Sequence, residues 1–135
     1  MKKYLLIITL FTALVGCQKA KEAIAEDLII KAMTDGQWKV TKFKKDSTDV
    51  TTDFASYKFQ FKKDNSVDAL NNAATEASGS WNADAMARTI TSNFANGSNT
   101  IKLLNGTWKI TNNSWTFVEA TQTVNGEVRL LRLDK

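Results

Sequence analysis

From Gly36 to the C-terminus, large apolar side chains recur at every second position in short runs, and this period of two constrains the fold most. Tyr57, Phe59 and Phe61 alternate with Lys58, Gln60 and Lys62. Trp38 and Val40 alternate with Lys39 and Thr41. Phe43 then falls on the opposite parity, which predicts a bulge near residues 41–42. Further short strands are predicted at 66–70, at 76–82 (Ala77, Gly79 and Trp81 on one face), at 88–94 (Ile90, Phe94) and at 107–111 (Trp108, Ile110). Trp115 and Phe117 lead the next strand, and residues 128–133 form the last. Asp64-Asn65, Asn96-Gly97, Asn112-Asn113 and Asn125-Gly126 supply turns. Asn125-Gly126 is the sharpest, because both residues accept the positive φ of a type I′ hairpin. With no helical stretch between strands, a parallel sheet is not expected. The expected fold is all-β, an eight-stranded antiparallel meander closing into a barrel. Eight strands enclose a space that side chains fill or that holds one small ligand.

A helix is predicted only ahead of the strands, over residues 18–33. Ile24, Ala25, Leu28, Ile29 and Ala32 form its apolar stripe, and Asp35-Gly36 ends it. Such a helix either packs on one end of the domain or lies on a bilayer.

One triplet repeats. Gly36-Gln37-Trp38-Lys39-Val40 returns as Gly106-Thr107-Trp108-Lys109-Ile110, with a shorter copy at Gly79-Ser80-Trp81. The Gly permits a sharp turn or a close backbone approach, and the Trp fills the core. The first copy resembles the Gly-x-Trp signature of lipocalins, and residues 34–135 as a whole resemble the lipocalin-like domains of small bacterial lipoproteins. The resemblance implies a barrel whose first Trp plugs the closed end behind a lead-in helix. It also implies an Arg packed on that Trp, for which Arg129 and Arg132 are the candidates. The later lipocalin motifs are absent.

The N-terminus carries a second resemblance. Lys2 and Lys3 precede an apolar run from Tyr4 to Leu14, too short to span a bilayer. Leu14-Val15-Gly16-Cys17 comes next and resembles the lipobox of bacterial lipoproteins. The resemblance implies that residues 1–16 are a signal peptide and that Cys17 carries diacylglycerol and becomes the acylated N-terminus. Residues 17–33 then form a tether and helix. The bilayer, reached through Cys17, is the expected partner. Two acyl chains give stable anchoring where one does not. Gln18 after the Cys points to the outer rather than the inner membrane, and the lack of an acidic run there points to the periplasmic face.

Composition limits the chemistry. The whole chain carries 18 Lys and Arg against 14 Asp and Glu, a formal charge of +4. Removing the leader takes Lys2 and Lys3 with it and halves that excess, so nucleic acid is not an expected partner. There is no His and one Cys, which excludes His-based triads, Cys/His zinc sites and an internal disulfide. Asp46, Asp49 and Asp53 share a loop, but without the alternate spacing, central Gly and terminal Glu of a calcium loop. No catalytic residue, metal or cofactor is expected. Two functions remain open. One is a non-enzymatic module binding a small apolar or amphipathic ligand in a cavity of about 300 Å³ or more, lined by Tyr57, Phe59, Phe61, Trp81, Trp115 and Phe117. The other is a filled barrel acting through surface loops on a protein or glycan, an inhibitor being one case.

Overall fold

The computed structural model describes residues 13–135, with side chains at residue 21 and from residue 25 onward. A helix, α1 (Ala13–Thr34), leads into β1 (Lys39–Lys45) and the two-residue β2 (Thr48–Asp49). After a 3-10 turn at Thr51–Phe54 come β3 (Tyr57–Phe61), β4 (Ser66–Asn71), β5 (Ala74–Asp84) and β6 (Thr89–Asn93). A one-turn helix, α2 (Asn99–Lys102), precedes β7 (Gly106–Asn113), β8 (Phe117–Val124) and β9 (Glu127–Asp134). All nine strands belong to one antiparallel sheet, in the order β2-β1-β9-β8-β7-β6-β5-β4-β3.

The fold is all-β as expected, but the sheet curls into a half-barrel rather than closing as an eight-stranded barrel. Its two edges meet at one residue pair. Trp38 N–H donates to Phe59 O (2.9 Å) and Phe59 N–H donates to Trp38 O (2.8 Å). From Phe43 onward the β1 edge is occupied by the connection to β3. Val50 N–H donates to Phe43 O (2.9 Å), Phe43 N–H donates to the Thr51 hydroxyl (2.9 Å), and β2 pairs with Lys44 and Lys45. Phe54 holds that connection in place by stacking on Phe43 at 5.2 Å. A buried backbone donor must find some partner. Here the loop supplies it, and β3 is left apart from β1 on either side of the Trp38–Phe59 pair.

Alternation puts the core inside the curl. Trp38, Phe43, Phe59 and Ile101 are fully buried there, with Val67 and Ala69. The bulge expected near 41–42 is present, since the β1–β9 register shifts between Val40 and Lys42. Asn125 and Gly126 both take positive φ in the last hairpin.

Helices stop the two ends of the curl. At one end the last turns of α1 insert Met33, which is 2% exposed, with Ile29 and Ile30 half-buried beside it. The apolar stripe predicted for this helix is thereby corrected. Ala25 faces solvent and Leu28 is 46% exposed, while Ile29 and Ala32 are half-buried as the pattern predicts and Ile30 and Met33 add contacts; the Ile24 side chain lies outside the described residues. The hairpin tips at 62–65, 85–88 and 114–116 lie at this same end, as does Lys135. At the other end α2 inserts Ile101, and the turn that follows it inserts Leu104. This helix corrects the expectation of strands uninterrupted by helix. Ser98 caps it, its hydroxyl accepting from Ile101 N–H at 3.3 Å. One turn is too short to show a helical period in the sequence.

Candidate functional site

The three Gly-x-Trp triplets build the interior. Trp38, Trp81 and Trp108 are 0%, 3% and 3% exposed. Each buried indole N–H reaches a backbone carbonyl: Trp38 to Met33 (2.8 Å), Trp81 to Lys62 (2.9 Å) and Trp108 to Leu104 (2.9 Å). In the first and third copies that carbonyl belongs to the end of the preceding helical turn. The chain must therefore reverse sharply within a few residues, and Gly36 (φ +80°) and Gly106 (φ +102°) take the left-handed conformation this requires. Gly79 serves differently. A Cβ there would collide with the backbone carbonyl of Asn93 on β6, so this copy is a close strand approach.

These rings leave little room. One hollow within the curl measures about 40 Å³, among Met33, Phe59, Phe61, Phe94, Trp108 and Leu133. A water needs about 10–15 Å³ on that measure, and a drug-sized ligand fills some hundreds of Å³. The six predicted lining residues divide accordingly. Phe59 and Phe61 border the small cavity. Tyr57 and Trp81 are buried in contact with other rings, Tyr57 stacked on Phe59 (6.2 Å) and Trp81 edge-on to Phe61 (5.2 Å). Trp115 and Phe117 do not face the interior, which corrects the sequence-based expectation. Trp115 is 58% exposed on the β7–β8 tip. Along β8 it is Val118, Ala120 and Gln122 that point inward, and Phe117 lies on the outer face beneath the Arg132 guanidinium at 4.4 Å. Arg132 is fixed there by Glu119 (2.6 Å) and by both Asp134 oxygens (2.8 and 2.9 Å). The Arg132 hydrogen bonds hold the Asp134 carboxyl below its ordinary pKa. The cation over Trp38 is Lys135, at 5.0 Å, rather than Arg129 or Arg132.

A larger hollow lies outside, where the half-barrel fails to close. It measures about 270 Å³ and is lined by Gln37, Lys39, Ser56, Tyr57, Lys58 and Asn72. Lys39 and Lys58 are both exposed and face each other across the seam beyond the Trp38–Phe59 pair. The hollow suits a polar or anionic group better than an apolar one. No sequence pattern points to it, because it exists only through the gap between two strands far apart in the chain. The Asn72-Ala73 turn beside it, with φ of +48° and +70°, is unmarked by Gly.

Asp46, Asp49 and Asp53 lie in one loop, in which two of the carboxylates accept backbone N–H groups. Asp46 accepts from Val128 N–H and Asp49 from Thr51 N–H, both at 2.9 Å. Among the described residues no group of His, Cys, Asp or Glu is placed to hold a metal. The leader lies, up to residue 12, outside the described residues, and so does the side chain of Cys17. Among the described residues no helix is long and apolar enough to cross a membrane.

No family model matches the sequence, and no curated protein sequence matches it. A similar solved structure is the crystal structure of a DUF4847 family protein from Bacteroides vulgatus ATCC 8482. It aligns with a TM-score of 0.55 at 15% identity, covering 78% of this chain and 96% of that one. At that identity the likeness concerns the fold alone.

Proposed function

We propose that this chain is a lipid-anchored, non-enzymatic envelope protein that works through its surface on a protein or glycan partner. The observation that carries the reading is the filled interior, about 40 Å³ where a ligand-binding barrel needs several times that volume. The seam hollow, with Lys39 and Lys58 on opposite lips, is the contact best suited to an acidic group of the partner. Anchoring rests on Leu14-Val15-Gly16-Cys17. Outer-membrane, periplasmic placement rests on Gln18 and the absence of an acidic run behind it.

Titrating the chain from Cys17 onward with fatty acids and hydrophobic dyes tests the filled interior. Its tryptophan emission should stay flat, whereas Trp108→Ala, which opens a cavity, should bind dye. A saturable micromolar response of the unaltered protein would sink the reading and restore the ligand-binding one. Anchoring has a separate test: Cys17→Ser should abolish metabolic lipid labelling, and labelling that persists refutes it.

A further inference from the structure

Among the described residues five large hydrophobic side chains are exposed, and three of them gather at the α1 end: Leu28 on the helix, Met86 on the β5–β6 tip and Trp115 on the β7–β8 tip. Trp115 is the anomaly. The other three tryptophans are buried with their indole N–H satisfied, whereas this one stands at the end of a hairpin, 58% exposed. The β7–β8 hairpin also runs past its neighbour β6. The β6–β7 pairing ends at Thr89–Lys109, and β7 continues to Asn113 before its turn. Exposed cations, Lys63 and Arg88, sit on or beside these tips, and Lys109 beside them donates to the Ala87 carbonyl. Of the acids there, Asp64 and Asp84 accept backbone N–H groups of Ser66 and Ala87 at 2.9 Å, Asp35 pairs with Lys135 at 3.2 Å, and Glu119 and Asp134 pair with Arg132. The opposite end carries Asp46, Asp49 and Asp53 instead.

The tether leaves from this same end. α1 packs there through Met33 and holds Cys17 in its earlier turns. At 1.5 Å per residue, Cys17 lies about 24 Å along the helix from Met33. With that helix lying along the bilayer surface, the end from which it emerges is the one that meets the headgroups. Trp is the side chain best suited to the headgroup boundary, having an apolar body and a polar N–H. Flanking cations add attraction to anionic lipid.

We infer that the α1 end is a second membrane contact. Trp115 and Met86 enter the headgroup boundary of an anionic bilayer, and Lys63 and Arg88 face its phosphates. The domain is thereby oriented with its seam hollow to the side. The inference rests on the anchoring reading, yet the two fail separately when the tether is supplied chemically.

The chain from Cys17 onward has a single thiol, which can be coupled to a maleimide phospholipid whether or not the cell lipidates it. The coupled protein is placed on vesicles of phosphatidylethanolamine and phosphatidylglycerol with brominated acyl chains. Trp115 emission is read as the difference from Trp115→Phe. Brominated lipid should remove the greater part of that component and shift the remainder to the blue, leaving the other three tryptophans unchanged. Lys63→Glu with Arg88→Glu should restore much of the lost emission. Trp115 emission that brominated lipid leaves intact on tethered protein overturns the inference, even where labelling shows native lipid on Cys17. Quenching through Trp115 in a chain that cells leave unlipidated supports this contact and overturns the anchoring alone.

Discussion

The two ends of the half-barrel are stopped in the same way and finished differently. At each, a helical turn drops an apolar side chain into the curl, a glycine reverses the chain, and a Trp two residues on returns its indole N–H to a carbonyl of that turn. Outside, the α2 end carries a loop of aspartates tied into local hydrogen bonds. The α1 end carries exposed Leu28, Met86 and Trp115 among cations. The shared device is architectural, since both ends need it to keep water from the core. The difference lies where stability does not demand it, so it bears on function.

If the two stoppers are equivalent, Trp38→Ala and Trp108→Ala should each cost about 3–5 kcal/mol. Urea unfolding of both variants checks this, and one variant losing less than half as much as the other would break the equivalence. Gly79→Ala comes next. It forces a Cβ against the Asn93 carbonyl, for an expected loss of about 1–3 kcal/mol. Hydrogen exchange should place the loosening in β5 and β6, toward α2, with the α1 end retained.

Acid should act at both ends, since hydrogen bonds with Thr51 lower the Asp49 pKa at the α2 end as well. Hydrogen bonds from Arg132 lower the Asp134 pKa, and those from Lys62 and then Ser78 lower that of Asp68. A carboxyl whose folded-state pKa lies below its unfolded value contributes stability that is complete above the unfolded value. That stability is lost as pH falls through the folded one. Melting temperature should therefore fall below about pH 4, and Asp134→Asn should flatten the fall. The smallest expected effect is at the exposed tip, where Trp115→Ala should change stability by less than about 0.5 kcal/mol. A larger loss would make Trp115 part of the architecture.

Much of this fold was legible, because period two survives wherever large and charged residues alternate. Tyr57, Phe59, Phe61, Trp81, Ile90, Trp108 and Ile110 all point inward as the pattern predicts. The bulge after Val40 was legible from one parity change. What failed was inference from ring size. In β8 the largest ring, Phe117, lies outside under a guanidinium, while small Val118 and Ala120 face the core opposite the bulky Leu131 and Leu133 of β9. Closure was not legible either. It depended on how the connection between β2 and β3 settles on Phe43 through Val50 and Thr51, which no local pattern signals. The seam hollow lies beside that gap and was hidden with it.

Acrylamide quenching of native tryptophan emission, in the unaltered protein and in Trp115→Phe, tests the central claim most directly. With the interior filled and the three Gly-x-Trp indoles enclosed, the unaltered protein should show one accessible component. Trp115→Phe should remove it without moving the melting temperature. A quenchable component that survives the substitution would contradict the account, for it would mean that solvent reaches the interior.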